Sequence, residues 1–307
     1  MEMVDAAEKG VIKGYYVMGE NPMMSEPDLL HARHVMEELD FVLYQDIFMN
    51  ETGEYADVIL PAVSFAEKEG TFTNSDRRVQ LIRKAILPPG EARADWDIIQ
   101  DLALRVEDKL GKKQSVGFKF ENSAQIWDEM AELTPPIQGI THERVEREDG
   151  VHWPCPTPDH PGTPYLFTES FPRGKGKLTS LEYQPSAELP DKEYPYILST
   201  GRVLYHWHGG TMTRRSKLDD IYPEALVEIH PEDALNIKVA SEDWVKLRSR
   251  RGEIEVKVLV TERSPQGLVF LPFHFAEAAA NILTLDARDP QAKIPDYKVC
   301  AVAVEKR

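Results

Sequence analysis

The beginning of the chain alternates between short apolar runs and one amphipathic stretch. Val11–Met18, Phe41–Tyr44 and Val58–Leu60 are largely apolar runs, which are typical of strands buried on both faces of a parallel sheet. Between the first two runs, apolar residues recur at helical spacing after Ser25, which we expect to be the N-cap of that helix. This strand–helix–strand order predicts an α/β fold with a parallel sheet up to about Leu133.

A proline-rich segment from about residue 134 to 195 predicts a wrapping connection with little regular structure. Beyond it the pattern has the period of β-strands, since Ile254, Val256 and Val258 alternate with charged residues. Similar segments at 196–198, 225–229, 243–247 and 267–271, with a short helix at Pro231–Leu235, predict a compact β-barrel. We therefore expect an α/β domain with the proline-rich connection at 1–190 and a barrel at 191–307.

Composition narrows the class of protein. The chain has 36 basic and 52 acidic residues and a net charge of -16, which argues against a nucleic-acid partner because phosphate backbones need a basic surface. Only Cys155 and Cys300 are present, so this chain alone provides neither a disulfide framework nor a four-cysteine cluster site. No apolar run approaches the ~18 residues of a membrane span, and no signal peptide opens the chain. We expect a cytoplasmic protein.

Polar residues follow two of the predicted strands. Gly19–Pro22 comes directly after the first strand, and Gln45–Asp46 ends the second. In an open α/β sheet, the carboxyl ends of the strands form the edge where ligands bind. Glu20 and Asn21 can bind ribose hydroxyls or the edge of a purine, and a carboxylate such as Asp46 can accept hydrogen bonds from guanine. A plain strand-to-helix turn has a similar composition, so the residues alone leave both interpretations open.

The segment Ser199–Arg215 combines glycines, arginines and two histidines. His206 and His208 suit a metal ion if a third ligand is near, but a glycine-rich loop with Arg202, threonine hydroxyls and further arginines suits a phosphate better. We favour the phosphate. Arg77–Arg78, in a polar stretch, either meets a diphosphate or a carboxylate or belongs to a solvated loop. The GxGxxG and Walker patterns are absent, which argues against NAD and nucleoside triphosphates.

Taken in order, these segments resemble the C-terminal half of the catalytic (alpha) subunits of formate dehydrogenases, in the molybdopterin oxidoreductase (DMSO reductase) family. The matching stretches are GENP at 19–22, QDIF at 45–48, ADVILP at 56–61, EGTFTNSDRRVQ at 69–80, ADW at 94–96, WPCP at 153–156, STGRVLYHWHGGTMTRR at 199–215 and PDYKVCAV at 295–302. They run over nearly the whole chain. The resemblance implies the later portion of a parallel-sheet α/β domain, followed by a six-stranded double-psi β-barrel.

The resemblance also implies a bis(molybdopterin guanine dinucleotide) cofactor that carries molybdenum or tungsten. Residues of this chain fall on family positions that contact the cofactor in three groups. The strand-end and helix positions are Gly19, Asn21, Ser25, Gln45, Asp46 and Asp95; the barrel-loop positions are Arg202, His206 and His208; the terminal positions are Asn281, Tyr297 and Lys298.

Two motifs of the family have no matching position in this chain. Family members begin with a four-cysteine motif for a 4Fe-4S cluster and then carry the cysteine or selenocysteine that ligates the metal. Cys155 and Cys300 match positions that are not ligands. We therefore expect no catalytic and no metal-ligating residue here, a 4Fe-4S cluster only in the missing N-terminal half, and a chain that is inactive alone.

The complete enzyme implied by the resemblance oxidises formate to CO2 by two electrons. Its expected partners are the N-terminal half of the catalytic subunit, an electron-transfer iron–sulfur or diaphorase subunit, and formate, with no nucleic acid and no membrane span. Two alternatives stay open. The chain is a stand-alone module that binds a pterin cofactor, or it is half of a related molybdopterin oxidoreductase such as a nitrate reductase.

Overall fold

The computed structural model describes residues 2–111 and 117–307. The chain forms two compact units, one made of Met1–Ile59 together with Glu182–Arg307 and the other made of Leu60–Leu181. The first unit thus combines two segments that lie far apart in the sequence. The domain boundary predicted between residues 190 and 191 stays a prediction. It is a single cut in the sequence, whereas the compact units are defined by proximity in space.

The first unit begins with a small parallel sheet. Strand β1 (Gly14–Met18) pairs in parallel with β2 (Phe41–Asp46), and β3 (Val58–Pro61) is the third strand of this sheet. The predicted parallel strands are therefore confirmed. The helices of this region are α1 (Glu2–Glu8), α2 (Pro22–Ser25) and α3 (Leu29–Glu37).

The predicted helix start at Ser25 is wrong. Ser25 is the last residue of α2, and Asp28 is the N-cap of α3. Pro22 at the first helical position has a fixed φ that favours an early helix turn. Asp28 then takes a left-handed conformation, with φ of 43°, which separates the two helices. Ser25 is therefore available at the surface between them.

The second unit departs from the predicted parallel layer. Strands β4 (Gly70–Thr73), β5 (Arg78–Ile82) and β6 (Val151–His152) form an antiparallel sheet. Local turn chemistry explains this difference: Arg77 has φ of 71°, and the Asn74 side chain accepts hydrogen bonds from the backbone N–H groups of Asp76 and Arg78. The helices of this unit are α4 (Asp95–Lys109), α5 (Ser123–Leu133) and α6 (His142–Arg147).

The proline-rich segment is more ordered at its beginning than expected. Helix α6 and strand β6 lie within it, and the buried guanidinium of Arg144 donates hydrogen bonds to three backbone carbonyl oxygens, those of Gly139 (3.0 Å), Pro158 (3.0 Å) and His160 (2.7 Å). These bonds satisfy loop carbonyls that regular structure would otherwise satisfy.

The C-terminal part of the first unit is a closed six-stranded barrel, as the resemblance implied. Its strands are β7 (Tyr196–Gly201), β8 (Leu226–Ile229), β9 (Trp244–Arg248), β10 (Glu253–Val260), β11 (Leu268–Pro272) and β12 (Cys300–Lys306), in the spatial order β10-β8-β11-β7-β12-β9. Alternation is confirmed in β10, where Ile254, Val256 and Val258 are buried in the barrel core. The predicted short helix is α7 (Pro231–Ile237).

Within the two described ranges, no helix combines the length and the apolar character needed to cross a membrane.

Candidate functional site

Two adjoining clefts in the first unit form one groove. They share Ser25, His208 and Gly209 and have volumes of about 340 Å3 and 230 Å3. The larger, which we call the strand-end cleft, is further lined by Gly19, Glu20, Asn21, Asp46, Ile47, Asn50, Trp207, Thr211 and Met212. The smaller, which we call the barrel cleft, is further lined by Met24, Phe273, Asn281, Tyr297 and Lys298.

The strand-end cleft begins where β1 and β2 end side by side. Gly19 has φ of 64°, a left-handed conformation that favours glycine, and its N–H donates to the Gln45 carbonyl oxygen over 2.9 Å. The buried Asn21 side chain donates to Glu51 Oε2 (2.7 Å) and accepts from the Thr52 hydroxyl (2.8 Å). The turn is therefore held in one shape by side-chain hydrogen bonds.

Asp46 places a fixed carboxylate in the strand-end cleft. One oxygen accepts from the Ile47 N–H (2.6 Å), and the other lies 3.0 Å from the hydroxyl of the buried Tyr44, whose single hydrogen is shared with the Phe48 carbonyl oxygen (2.8 Å). Burial raises the pKa of Tyr44, and the neighbouring Asp46 raises it further, so the phenol stays protonated and keeps donating. Glu20 also lines this cleft, and the two carboxylates suit a heterocycle that presents N–H donors.

The barrel cleft is bordered by a lysine with limited solvation. Lys298 Nζ donates to the Thr200 carbonyl oxygen (2.5 Å) and lies 5.9 Å from the centre of the Phe273 ring. Burial lowers the pKa of Lys298, and the nearby Arg202 lowers it further, as expected where two cations share one region. An anion bound in this cleft would relieve that repulsion.

Tyr297 and Asn281 connect the barrel cleft to α2. The Tyr297 hydroxyl donates to the Ser25 carbonyl oxygen (2.8 Å), and Asn281 Nδ2 donates to the carbonyl oxygens of Met24 (2.9 Å) and Ser25 (3.2 Å). Burial raises the pKa of Tyr297, which keeps its hydroxyl available as a donor. These bonds fix the end of α2 against the barrel, so both clefts belong to one shaped surface.

The barrel loop, which we define as residues 202–212, contains Arg202. The surroundings of Arg202 differ from those of Arg214 and Arg215, which follow the loop. The Arg202 guanidinium lies 4.7 Å from the centre of the Trp207 ring, and both side chains are exposed. Arg214 is paired instead with Asp219 and Glu277, and Arg215 donates to backbone carbonyl oxygens. Arg202 and Lys298 are therefore the cations best placed to bind an anion here.

The two histidines of this loop have different surroundings. His208 lines both clefts, whereas the His206 side chain is fully buried, with Nε2 2.7 Å from the Tyr222 carbonyl oxygen and Nδ1 3.2 Å from the Thr213 hydroxyl. In the part of the chain that the structure describes, no group of three or more histidine, cysteine, aspartate and glutamate side chains is arranged to hold a metal ion.

The groove brings together eight of the twelve residues predicted for cofactor binding: Gly19, Asn21, Ser25, Asp46, His208, Asn281, Tyr297 and Lys298. Arg202 lies beside it on Trp207, Gln45 is buried and accepts from the Tyr16 hydroxyl, and His206 is buried in the barrel. Asp95 belongs to the second unit, where it pairs with Lys68. Their cofactor roles stay predictions.

Several groove residues were missed by sequence reasoning, and Trp207 and Phe273 are the largest of them. An isolated aromatic or methionine in a loop carries no periodic signal, so the sequence could not place it on the groove.

The diphosphate interpretation of Arg77–Arg78 finds no support in the second unit. Arg77 donates to the carbonyl oxygens of Trp153, Thr163 (3.0 Å) and Pro164 (3.1 Å), and Arg78 pairs with Asp149, so both stabilise loops.

Two family models match the two segments of the sequence that contribute residues to this groove. The model described as "Molybdopterin oxidoreductase" matches residues 1–105, and the model described as "Molydopterin dinucleotide binding domain" matches residues 196–301. The first includes the strand-end residues of the groove, and the second includes the barrel loop and all but one of the barrel strands.

The sequence is also similar to curated oxidoreductases. The F420-dependent formate dehydrogenase subunit alpha of Methanocaldococcus jannaschii is 49% identical, over 99% of this chain and 45% of the relative. The assimilatory nitrate reductase catalytic subunit of Bacillus subtilis is 41% identical, over 99% of this chain and 43% of the relative. The chain thus spans less than half the length of these relatives.

A solved structure shares the fold. Acetylene hydratase from Pelobacter acetylenicus superposes with a TM-score of 0.72 at 18% identity, covering 99% of this chain and 46% of that chain. At this identity the likeness concerns the fold.

Proposed function

Because the chain belongs to the molybdopterin oxidoreductase family, we propose that its groove binds a pterin guanine dinucleotide within a formate dehydrogenase. The observation that carries this proposal is the distribution of charge along the groove. Asp46 and Glu20 place acceptors in the strand-end cleft, while Lys298 places a cation at the barrel cleft, with Arg202 beside the groove and near enough to lower the pKa of Lys298. A guanine with its N–H donors fits the first, and a diphosphate fits the second.

The residues of this chain then act by binding and orientation. Lys298, Arg202 and His208 would bind phosphate oxygens, and Asp46 would accept from the base. When bound, the bis(molybdopterin guanine dinucleotide) supplies a molybdenum or tungsten centre that takes up two electrons as formate is converted to CO2 and a proton. This chain contributes the shape and charge that hold such a cofactor, and the remainder of the catalytic subunit contributes the metal ligand and the 4Fe-4S cluster. We expect the chain alone to show no formate oxidation.

The decisive experiment measures cofactor and activity together. The chain is coexpressed with the N-terminal half of the catalytic subunit, and the purified complex is assayed for guanine nucleotide released by acid hydrolysis and for formate oxidation. Since a relative at 49% identity is an F420-dependent enzyme, F420 and an artificial dye are the acceptors to compare. Nitrate reduction in place of formate oxidation would favour the nitrate reductase alternative, which the 41% identical relative motivates.

Variants test the groove itself. Lys298→Met and Arg202→Ala should each reduce retained cofactor roughly ten- to a hundredfold, because each removes a charge-assisted contact. Lys217→Met, at a side chain that is 99% exposed, is the matched control and should retain the cofactor. Normal cofactor content in both groove variants contradicts the proposal. Cofactor bound by this chain without the N-terminal half would favour the stand-alone module.

A further inference from the structure

His274 lies buried beneath the barrel loop with both ring nitrogens engaged. Nε2 accepts from the Val203 N–H (3.0 Å), and Nδ1 lies 2.5 Å from the His208 carbonyl oxygen. A backbone N–H can only donate and a carbonyl oxygen can only accept. The ring is therefore neutral, with its hydrogen on Nδ1.

The backbone of the same loop also packs closely on His274. A Cβ at Gly210 would lie 2.5 Å from the His274 carbonyl oxygen, so this approach requires glycine there, and Gly210 has φ of 76°. His208 itself has φ of 44°, which is uncommon for a residue with a side chain. The loop is thus held by contacts that converge on one residue, with His208 in a conformation that its side chain does not favour.

These contacts determine the surface of the groove. Trp207, His208 and Gly209 line it, and His208 lies between the hydrogen bond to His274 and the two clefts. We propose that His274 is a positioning residue for the groove: as a neutral imidazole it joins the two ends of the segment from Val203 to His208 and so fixes the loop that faces the cofactor. The role of His274 in fixing the loop does not depend on the proposed function, whereas its effect on cofactor binding rests on that function.

The surroundings of His274 favour the neutral form. Burial lowers its pKa to about 4, against the opposing effect of the hydrogen bond to the His208 carbonyl oxygen, and the titratable groups facing it from the loop, His206, Arg202 and His208, add to the decrease. Lys298, above the neighbouring Phe273 ring, is a further cation on this side. A proton on Nε2 would place a donor against the Val203 N–H, so protonation is incompatible with the observed loop.

The tautomer gives a test that needs no cofactor. The full chain is labelled with 15N-histidine, and long-range 15N–1H correlation spectra are recorded at neutral pH, with His274→Gln used to assign the signal. We expect His274 to carry its hydrogen on Nδ1 and to remain neutral well below the ordinary histidine pKa of 6.5. A hydrogen on Nε2, or titration near 6.5, overturns the proposal.

A pair of variants tests the positioning role. His274→Leu removes both hydrogen bonds, whereas His274→Gln retains an acceptor and a donor; His34→Gln, at an exposed position on α3, is the control. Tryptic cleavage after Arg202 should become on the order of tenfold faster in His274→Leu, with cofactor retained by the complex falling by a similar factor. Both should recover in part in His274→Gln. Unchanged cleavage in a folded His274→Leu overturns the proposal.

The outcomes separate this inference from the proposed function. If the native complex holds no pterin dinucleotide but the tautomer and cleavage results are as expected, the proposed function fails and the loop role of His274 stands. If the native complex holds the cofactor and His274→Leu retains it fully, the positioning role fails and the proposed function stands. Should His274→Leu not fold, the tautomer of His274 in the native chain decides the question: a hydrogen on Nε2 overturns the proposal.

Discussion

The barrel and the β1–β2 sheet of the first unit bury their residues to different degrees. In the barrel every strand has two neighbours, and side chains such as Leu271 and Val258 are fully buried. In the sheet, Tyr16, Met18 and Phe41 remain 43%, 46% and 45% exposed. A closed barrel satisfies its own edges, whereas a parallel sheet is normally covered on both faces by other elements. Stability in this unit therefore resides mainly in the barrel.

Side-chain contacts attach the N-terminal segment to the barrel side of the unit. Arg288 makes a bidentate pair with Asp5 (2.5 and 2.6 Å), and it also pairs with Asp286. The hydrogen bond from Arg288 lowers the pKa of Asp5, so this carboxylate remains charged. The sheet thus has a small apolar cluster around Met36 and Val42 and this polar attachment, whereas the barrel has a much larger apolar core.

The largest difference in the free energy of unfolding should appear between two large-to-small substitutions, one in the barrel core and one in the sheet. Leu271→Ala, in the barrel core, should lower the free energy of unfolding by about 2–5 kcal/mol, because it removes buried apolar groups and leaves a cavity. Ile59→Ala, at a 47% exposed position of β3, should change it by less than about 0.5 kcal/mol. Urea denaturation followed by circular dichroism measures both. Equal losses would remove the contrast between barrel and sheet.

The free energy of unfolding should also depend on pH through His274, which lies on the barrel side of the first unit. Because the pKa of His274 is lowered to about 4 from 6.5, the unfolded chain takes up a proton before the folded one does. The contribution of His274 is therefore complete above pH 6.5 and is lost as the pH falls towards 4, by about 3 kcal/mol in total. Urea denaturation across this range should show a shallower decline in His274→Gln than in the native chain. Parallel curves for the two chains contradict this expectation.

A smaller effect is expected where the N-terminal segment is attached. Arg288→Gln removes the pairing with Asp5 and should lower the free energy of unfolding by about 1 kcal/mol, since the pair is bidentate but part-exposed. Hydrogen exchange should show α1 and β1 losing protection while β8 and β11 keep theirs. Arg307→Gln, which removes an exposed pair with Glu255, is the control and should leave both regions unchanged.

The smallest effect on stability is expected at the exposed face of the sheet. Met18→Thr replaces a 46% exposed apolar side chain and should change the free energy of unfolding by less than about 0.5 kcal/mol. It should nevertheless reduce self-association of the isolated chain, because exposed apolar surface promotes association. Light scattering at increasing concentration measures this. A marked loss of stability would show that Met18 is part of a core.

The elements that the sequence predicted are those with a strong local signal. Alternation in Ile254, Val256 and Val258 indicated a strand with one buried face, and Pro231 indicated the start of α7; both predictions are confirmed. Polar residues at the ends of β1 and β2 indicated neighbouring strand ends, and Gly19 and Asp46 do line one cleft. Such features depend on residues close in sequence, so local patterns are sufficient to find them.

The remaining features depend on which surfaces meet. The sequence did not indicate that Ser25 would accept from Tyr297, or that the His206 side chain would turn into the barrel while His208 faces the groove. It also gave no sign that His274 would hold the barrel loop from below. The hydrogen bonds of Tyr297 and His274 join residues that are distant in sequence. His206 and His208 are two positions apart in sequence, but their side chains have opposite orientations. The sequence thus determined most strands of the first unit, the start of α7 and the candidate chemistry. Tertiary packing decided which side chains form the groove, because burial and hydrogen bonding are settled only when separate segments come together.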